Sequence, residues 1–133
     1  MTFLDSSAIV DMLAGEQETV AAVESLGEPY LTSTICVYEV IEGRLGSGET
    51  DVAAVREQFG GVRALDFTEE LALGAGRLQD AMYDDGEPMA VRDLYVAATA
   101  RSTGDHLVVA DADFETERLQ SEMDVTNVRR VDE

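Results

Sequence analysis

Short runs of apolar, β-prone residues alternate along this chain with longer segments of helical periodicity. Three such runs are Thr2–Leu4, Tyr30–Thr32 and Leu107–Val109, and Val62–Phe67 alternates as a fourth strand. A weaker run at Val125–Val131 offers a fifth. Strands separated by helices predict an α/β domain with an open, mostly parallel sheet of four to five strands, flanked by helices on both faces.

Capping residues and glycines mark where the helices begin and end. Ser6 or Ser7 is in position to cap the first helix, which follows the first strand at once, so Asp5 lies at a strand-to-helix junction. The alternative to a site role for Asp5 is that it caps this helix itself, although the two serines could do so without it. A later helix is predicted from about Met89 to Ser102, with Gly104 ending it.

The length and apolar content of the chain fit one hydrophobic core. It has 133 residues, 45% of them hydrophobic, which predicts a single domain over residues 1–133. No run approaches the roughly 18 apolar residues of a spanning helix, and the start lacks signal-peptide features, so we expect a cytoplasmic protein without a membrane segment. The one cysteine, Cys36, lies in an apolar stretch and is expected to be a small buried side chain.

The charge of the chain is strongly negative and complicates any reading of its acids. The formal net charge is -19, from 28 acidic against nine basic residues, and all nine are arginine. So large an excess of negative charge destabilises a compact chain, because the acids repel one another, and it is tolerated where salt screens the repulsion. The composition therefore indicates a halophilic protein. Surface adaptation therefore explains most acids, and only acids with a positional argument count. The charge disfavours broad, nonspecific binding to a nucleic-acid backbone, but it does not exclude nucleic acid as a substrate, because bound divalent metals can supply the positive charge that the side chains lack.

Aspartates directly follow two of the predicted strands. Asp5 follows Thr2–Leu4, and Asp111 and Asp113 follow Leu107–Val109. Ligands of open α/β sheets gather at the carboxyl ends of strands, beside the point where the strand order reverses. These acids share one edge if the two strands are neighbours, and spacing does not choose between Asp111 and Asp113.

Two further acids lie on predicted helices. Glu39 is surrounded by apolar residues, but Glu42, three residues later, competes with it, and spacing leaves the choice open. Asp93 begins a helix rich in alanine, which permits close packing against the sheet. The alternative for Asp93 is a favourable acid in the first turn of a helix, worth about 0.3 to 1 kcal/mol.

These segments resemble the PIN-domain ribonucleases, and within them the VapC-like toxins of toxin–antitoxin modules. The resemblance rests on four short motifs, which occur in the family's order and are spread over nearly the whole chain. They are Phe3–Ala8, Ser33–Gly43, Asp93–Ala100 and Asp111–Phe114.

The resemblance implies a PIN-like fold and a Mg²⁺- or Mn²⁺-dependent endoribonuclease that hydrolyses RNA phosphodiester bonds. It favours Glu39 over Glu42. The implied catalytic and metal-binding carboxylates are Asp5, Glu39, Asp93 and Asp111, with Asp113 as a further metal ligand. Ser6 and Ser7 would support the site. Arginines beside the site segments that could contact phosphate are Arg44, Arg92 and Arg101.

The resemblance also implies partners, which are a cognate VapB-like antitoxin and a second copy in a homodimer. Three other functions stay open: a stand-alone PIN nuclease in RNA processing, a catalytically inactive PIN domain that binds RNA or protein, and a haloacid-dehalogenase-like phosphatase with Asp5 as nucleophile. The phosphatase family places a second aspartate where Ser7 stands.

Overall fold

A computed structural model of the protein describes residues 1–110 and 117–128. Strands and helices alternate through this part of the chain. The elements are β1 (Thr2–Leu4), α1 (Ser6–Leu13), α2 (Gln17–Leu26), β2 (Tyr30–Ser33), α3 (Thr34–Glu42), α4 (Val52–Glu57), β3 (Val62–Leu65), α5 (Glu69–Asp84), α6 (Val91–Thr103), β4 (His106–Val109), α7 (Glu117–Glu122) and β5 (Val125–Asn127).

The strands form one parallel sheet in the order β3-β2-β1-β4-β5, which confirms the predicted α/β class. Phe3 of β1 is in register with Leu31 of β2 on one side and Leu107 of β4 on the other. The chain runs outward from β1 through β2 to β3 and then returns to the other side of β1. The strand order therefore reverses between β1 and β4, where a crevice is expected at the carboxyl ends. Strands β1 and β4 are neighbours, the condition on which the predicted site depended.

Alternating side chains of the central strands bury both faces of the sheet. Phe3, Leu107 and Val109 pack on one side against residues of α5, α6 and α7. Leu4 and Val108 point to the other side, into a cluster formed with α1, α2, α3 and α4. This two-sided burial explains why the strands read as continuous apolar runs.

Strand β3 is shorter than the strand Val62–Phe67 that the sequence pattern predicted. It ends at Leu65, two residues before Phe67, whose alternation with the preceding residues suggested a longer strand. The Phe67 ring instead stacks on Tyr95 of α6, with ring centroids 4.2 Å apart. The aromatic residue therefore packs against a helix and does not extend the sheet.

The helix α6 begins two residues later than predicted, at Val91. Gln79 of α5 explains the delay, because its side chain donates to the carbonyl of Met89 (2.8 Å) and accepts from the Met89 amide (3.0 Å). Both backbone groups of Met89 are thereby bound outside the helix. Gly104 ends α6 in the left-handed conformation (φ 73°), as its position predicted.

Within residues 1–110 and 117–128, no helix has both the length and the apolar character needed to cross a membrane.

Candidate metal centre

Asp5 is fixed at the carboxyl end of β1 by its backbone and by one of its side-chain oxygens. Its amide donates to the carbonyl of Val108 in β4 (3.0 Å), which continues the pairing of the two strands. We predicted Ser6 or Ser7 as the cap of α1, and this was wrong. Helix α1 already begins at Ser6, so Asp5 is the N-cap, and its Oδ2 accepts from the Ser7 amide (3.1 Å). The side chain is fully buried.

Ser7 links the ends of the two central strands. Its hydroxyl donates to Asp5 Oδ2 (2.5 Å) and accepts from the amide of Ala110, the residue after β4 (2.9 Å). One hydroxyl therefore holds the capping oxygen of Asp5 and the end of β4. The other oxygen of Asp5, Oδ1, has different partners, the guanidinium of Arg92 (2.8 Å) and the thiol of Cys36 (3.8 Å).

Glu39 and Asp93 reach this point from two helices. Helix α3 begins directly after β2, where the Ser33 hydroxyl accepts from the Cys36 amide (3.2 Å). Glu39 lies one turn further along and is half-buried, whereas Glu42, the last residue of α3, is exposed. Asp93 lies in the first turn of α6 and is 7% exposed. Fully buried alanines behind it allow the close helix packing that the sequence predicted.

Arg92 joins the three carboxylates. Its Nε donates to Glu39 Oε2 (2.6 Å) and its Nη2 to Glu39 Oε1, a bidentate pair. Nη2 also lies 2.8 Å from Asp5 Oδ1, and Nη1 lies 2.8 Å from Asp93 Oδ1. Ser6 completes the network, because its hydroxyl accepts from Arg92 Nη2 (2.7 Å) and donates to Glu39 Oε1 (3.0 Å). We call Asp5, Glu39 and Asp93 the carboxylate cage.

The cage holds the guanidinium in its charged form. Burial alone would lower the pKa of Arg92, but the hydrogen bond to Glu39 and the negative charge of Asp5 raise it above its usual value, with Asp93 adding to the effect. The side chain of Arg92 as a whole is still 29% exposed.

Cys36 lies against the cage but is a poor metal ligand. Its sulfur is 3.8 Å from Asp5 Oδ1 and groups with Asp5 and Glu39 at a spacing that fits a metal. Burial, and then the charge of Asp5, raise the pKa of the thiol to about 11, so it stays protonated at neutral pH. Sulfur is also a soft donor, which Mg²⁺ and Mn²⁺ bind less readily than carboxylate oxygen. Cys36 is buried, as its apolar surroundings predicted.

The oxygens of the cage suit a hard divalent cation. Asp5 and Glu39 offer carboxylate oxygens at a spacing that fits one ion, at the point where the strand order reverses. Asp93, from a third element, is joined to them through a different nitrogen of Arg92 and lies outside that metal-spaced group. Mg²⁺ and Mn²⁺ prefer carboxylate oxygens and water over sulfur. The residues present therefore fit such an ion.

The remaining predicted residues lie elsewhere or outside the described residues. Arg44 follows α3 and donates to Gln58 (3.3 Å) in an exposed position. Arg101 lies nine residues after Arg92 on α6, about 13.5 Å along the helix axis, and pairs with Glu122 (2.9 Å). Asp111 and Asp113 lie outside the described residues, which stop at Ala110 and resume at residue 117.

The described geometry agrees with a family comparison. Residues 2–117 match the family model of the PIN domain. The chain belongs to the PIN-domain family. This assignment leaves the haloacid-dehalogenase-like alternative without support, since Asp5 is both a helix cap and a partner of Arg92.

Several solved structures have the same fold. FitAcB from Neisseria gonorrhoeae is 24% identical, with a TM-score of 0.75, covering 98% of this chain and 100% of that one. A toxin–antitoxin complex from Klebsiella pneumoniae is 17% identical, with a TM-score of 0.76 and coverages of 98% and 100%. DNA-bound VapBC from Salmonella typhimurium is 19% identical, with a TM-score of 0.76 and coverages of 96% and 97%. A comparison with curated proteins found no significant match.

The central position of Arg92 is the feature that the sequence did not predict. Its neighbour Asp93 was the only signal, and that adjacency suggested no more than a phosphate contact. The contact with Glu39 spans 53 positions of sequence and becomes visible only in the folded chain.

Proposed function

We propose that this protein is a divalent-metal-dependent endoribonuclease of the PIN family. The observation that carries the proposal is the convergence of Asp5, Glu39 and Asp93 at the crevice between β1 and β4. In a chain of charge -19, acids are common on the surface, but three of them meeting on one cation at a strand switch point are not explained by surface adaptation.

The roles of the residues follow from their positions. Asp5 Oδ1, Glu39 and Asp93 would hold Mg²⁺ or Mn²⁺, and Asp111 and Asp113 are proposed to complete the set. A bound ion of this kind polarises a phosphoryl oxygen and lowers the pKa of a coordinated water. Ser7 fixes the orientation of Asp5, and Ser6 fixes that of Glu39, so that both carboxylates are held before a ligand arrives.

We further propose that the nuclease is the toxin of a toxin–antitoxin pair. The similarity to a toxin–antitoxin complex from Klebsiella pneumoniae supports this proposal. A VapB-like partner encoded beside this gene should co-purify with it, and a stand-alone nuclease would have no such neighbour.

A homodimer and a single domain over residues 1–133 are part of the same proposal. The family match over residues 2–117 supports the single domain, because it leaves no stretch long enough for a second core. Light scattering on the purified chain should give twice the mass of 14.4 kDa for the dimer.

The experiment that tests the nuclease proposal compares single-residue variants on a mixture of RNAs in high salt. Added Mn²⁺ or Mg²⁺ should support cleavage by the wild type, and Asp5→Asn or Asp93→Asn should abolish it. Glu42→Gln is the matched control, because Glu42 is an exposed acid on the helix that carries Glu39. Cleavage that survives EDTA, or that both aspartate variants retain, would contradict the metal-centre assignment. A folded wild type that cleaves no RNA with either metal would favour an inactive PIN domain.

A further inference from the structure

The side chain of Arg92 uses the oxygens that the proposed metal would use. Asp5 Oδ1, both oxygens of Glu39 and Asp93 Oδ1 all accept from the same guanidinium. No other basic side chain among residues 1–110 and 117–128 forms an ion pair with these three acids. One internal cation thus contacts three acids, which come from the β1–α1 junction, α3 and α6.

Arg92 and a metal ion exclude one another at these oxygens. A small divalent ion coordinated directly lies about 2.0 to 2.1 Å from each ligand oxygen, so an ion shared by Asp5 Oδ1 and Glu39 Oε1 would lie where Arg92 Nη2 now bridges the same two oxygens. Both groups are cations, so their repulsion in a partly buried site adds to the steric conflict. Metal binding therefore requires Arg92 to leave at least Asp5 Oδ1 and one oxygen of Glu39.

The cage also needs a cation when no metal is bound. Three carboxylates within reach of one guanidinium repel one another, and repulsion of this kind favours protonation or separation of the acids. Arg92 offsets one of the three negative charges and holds the acids from three elements in one place. The side chain of Arg92 as a whole is partly exposed, so the fold does not enclose it completely.

We propose that Arg92 is a positioning residue, an internal cation that keeps the carboxylate cage assembled in the metal-free protein and is exchanged for the divalent ion. The proposal rests on the metal centre proposed above. Arg92 acts through the three carboxylates, and its release is part of every metal-binding event. The apparent metal affinity of the wild type is lower than that of the empty cage, because binding includes breaking the contacts of Arg92.

The test is a Mn²⁺ titration of the full-length chain, followed by the electron paramagnetic resonance signal of free Mn²⁺. Arg92→Gln should bind Mn²⁺ about tenfold more tightly than the wild type, which corresponds to about 1.4 kcal/mol. Arg92→Lys keeps the charge but loses the planar fork, so its affinity should lie between the two. Arg101→Gln is the matched control, since it removes one arginine from an ion pair at the far end of the same helix.

A second readout, the unfolding temperature, separates a positioning role of Arg92 from a purely structural one. Without metal, Arg92→Gln should unfold at a lower temperature than the wild type, and saturating Mn²⁺ should raise its unfolding temperature more than that of the wild type. A purely structural arginine would lower the unfolding temperature with and without metal, and would leave the Mn²⁺ affinity unchanged.

The outcomes distinguish this inference from the proposed function. Equal or weaker Mn²⁺ binding by Arg92→Gln overturns the role of Arg92 while metal-dependent cleavage by the wild type leaves the function intact. Equal tightening by Arg101→Gln also overturns it, because the gain then reflects net charge. If neither the wild type nor any variant binds Mn²⁺, both the metal centre and the role of Arg92 fail. Should Arg92→Gln not fold, Arg92→Lys decides the question, and an affinity equal to that of the wild type contradicts the proposal.

Discussion

Two acidic regions of this protein look alike in composition and differ in how their acids are bound. The carboxylate cage lies at the carboxyl ends of β1 and β4. The second region, the amino-edge acids, comprises Asp105 just before β4, Asp124 just before β5 and Glu122 of α7, which all line one cavity of about 310 Å³. Each region has a buried aspartate beside a strand and a glutamate paired with arginine.

The two regions differ in whether their acids share one partner. Arg92 contacts all three acids of the cage, and both oxygens of Asp5 have polar partners. Among the amino-edge acids, Glu122 pairs with Arg101 and Arg118, but Asp105 takes no part in an ion pair, and its Oδ2 has no hydrogen-bond partner within the part of the chain that the structure describes. Neighbouring acids therefore do not define a site in an acidic protein. The acids of the carboxylate cage differ from them because they share one cation, and this sharing is the observation behind the proposed metal centre.

The largest expected effect is on metal binding by the two buried aspartates. Asp5→Asn should weaken Mn²⁺ binding by more than about 100-fold, because outer-shell partners of metal ligands alone are worth about 10- to 100-fold. Asp105→Asn removes the same charge from an equally buried position and should leave the affinity within about twofold. Isothermal titration with both variants measures this. A similar loss in the two variants would mean that total charge, and not the cage, attracts the ion.

A second comparison uses the two arginine-bound glutamates. Glu39→Gln should reduce metal-dependent RNA cleavage by at least about tenfold, since it removes a charged ligand and half of the bidentate pair with Arg92. Glu122→Gln breaks ion pairs of the amino-edge acids and should leave cleavage unchanged. Initial rates at saturating Mn²⁺ provide the measurement. Equal losses in the two variants would remove the distinction between the regions.

The smallest expected effect concerns stability and separates the two oxygens of Asp5. Asp5→Asn should keep the N-cap of α1, because asparagine caps as well as aspartate, while Asp5→Ala should be less stable by about 1 kcal/mol. Urea unfolding without metal, where metal binding does not contribute, measures the difference. Both variants should fail to cleave RNA. If the alanine variant is as stable as the asparagine variant, the capping bond of Oδ2 contributes nothing measurable.

Sequence patterns predicted the fold class and the largely parallel sheet, because apolar runs and helix stops are local signals. They left open whether β1 and β4 are neighbours, which is a long-range property that only the folded chain shows. The choice of Glu39 over Glu42 came from the family resemblance, and spacing alone had left it open. The structure agrees with that choice in placing Glu39 in the cage and Glu42 in solvent.

The features that were missed depend on single-residue shifts or on long-range contacts. Ser6 and Ser7 were as suitable as Asp5 for capping α1, and sequence patterns do not fix the start of a helix to one residue. The end of β3 was misjudged because Phe67 packs on Tyr95, which lies 28 positions later in the chain. The role of Arg92 required knowing that α3 and α6 meet at the end of β1.

The double use of Asp5 limits how this site can be lost during evolution. One oxygen caps a helix and the other pairs with Arg92, so substitution by a residue that cannot cap removes activity and stability together. Substitution by asparagine, serine or threonine, which can also cap a helix, would remove only the proposed activity. Related chains that lack the proposed activity should therefore still have a short polar side chain at this position. An aspartate there would indicate that both the helix cap and the metal ligand are retained, and an asparagine, serine or threonine that only the cap is.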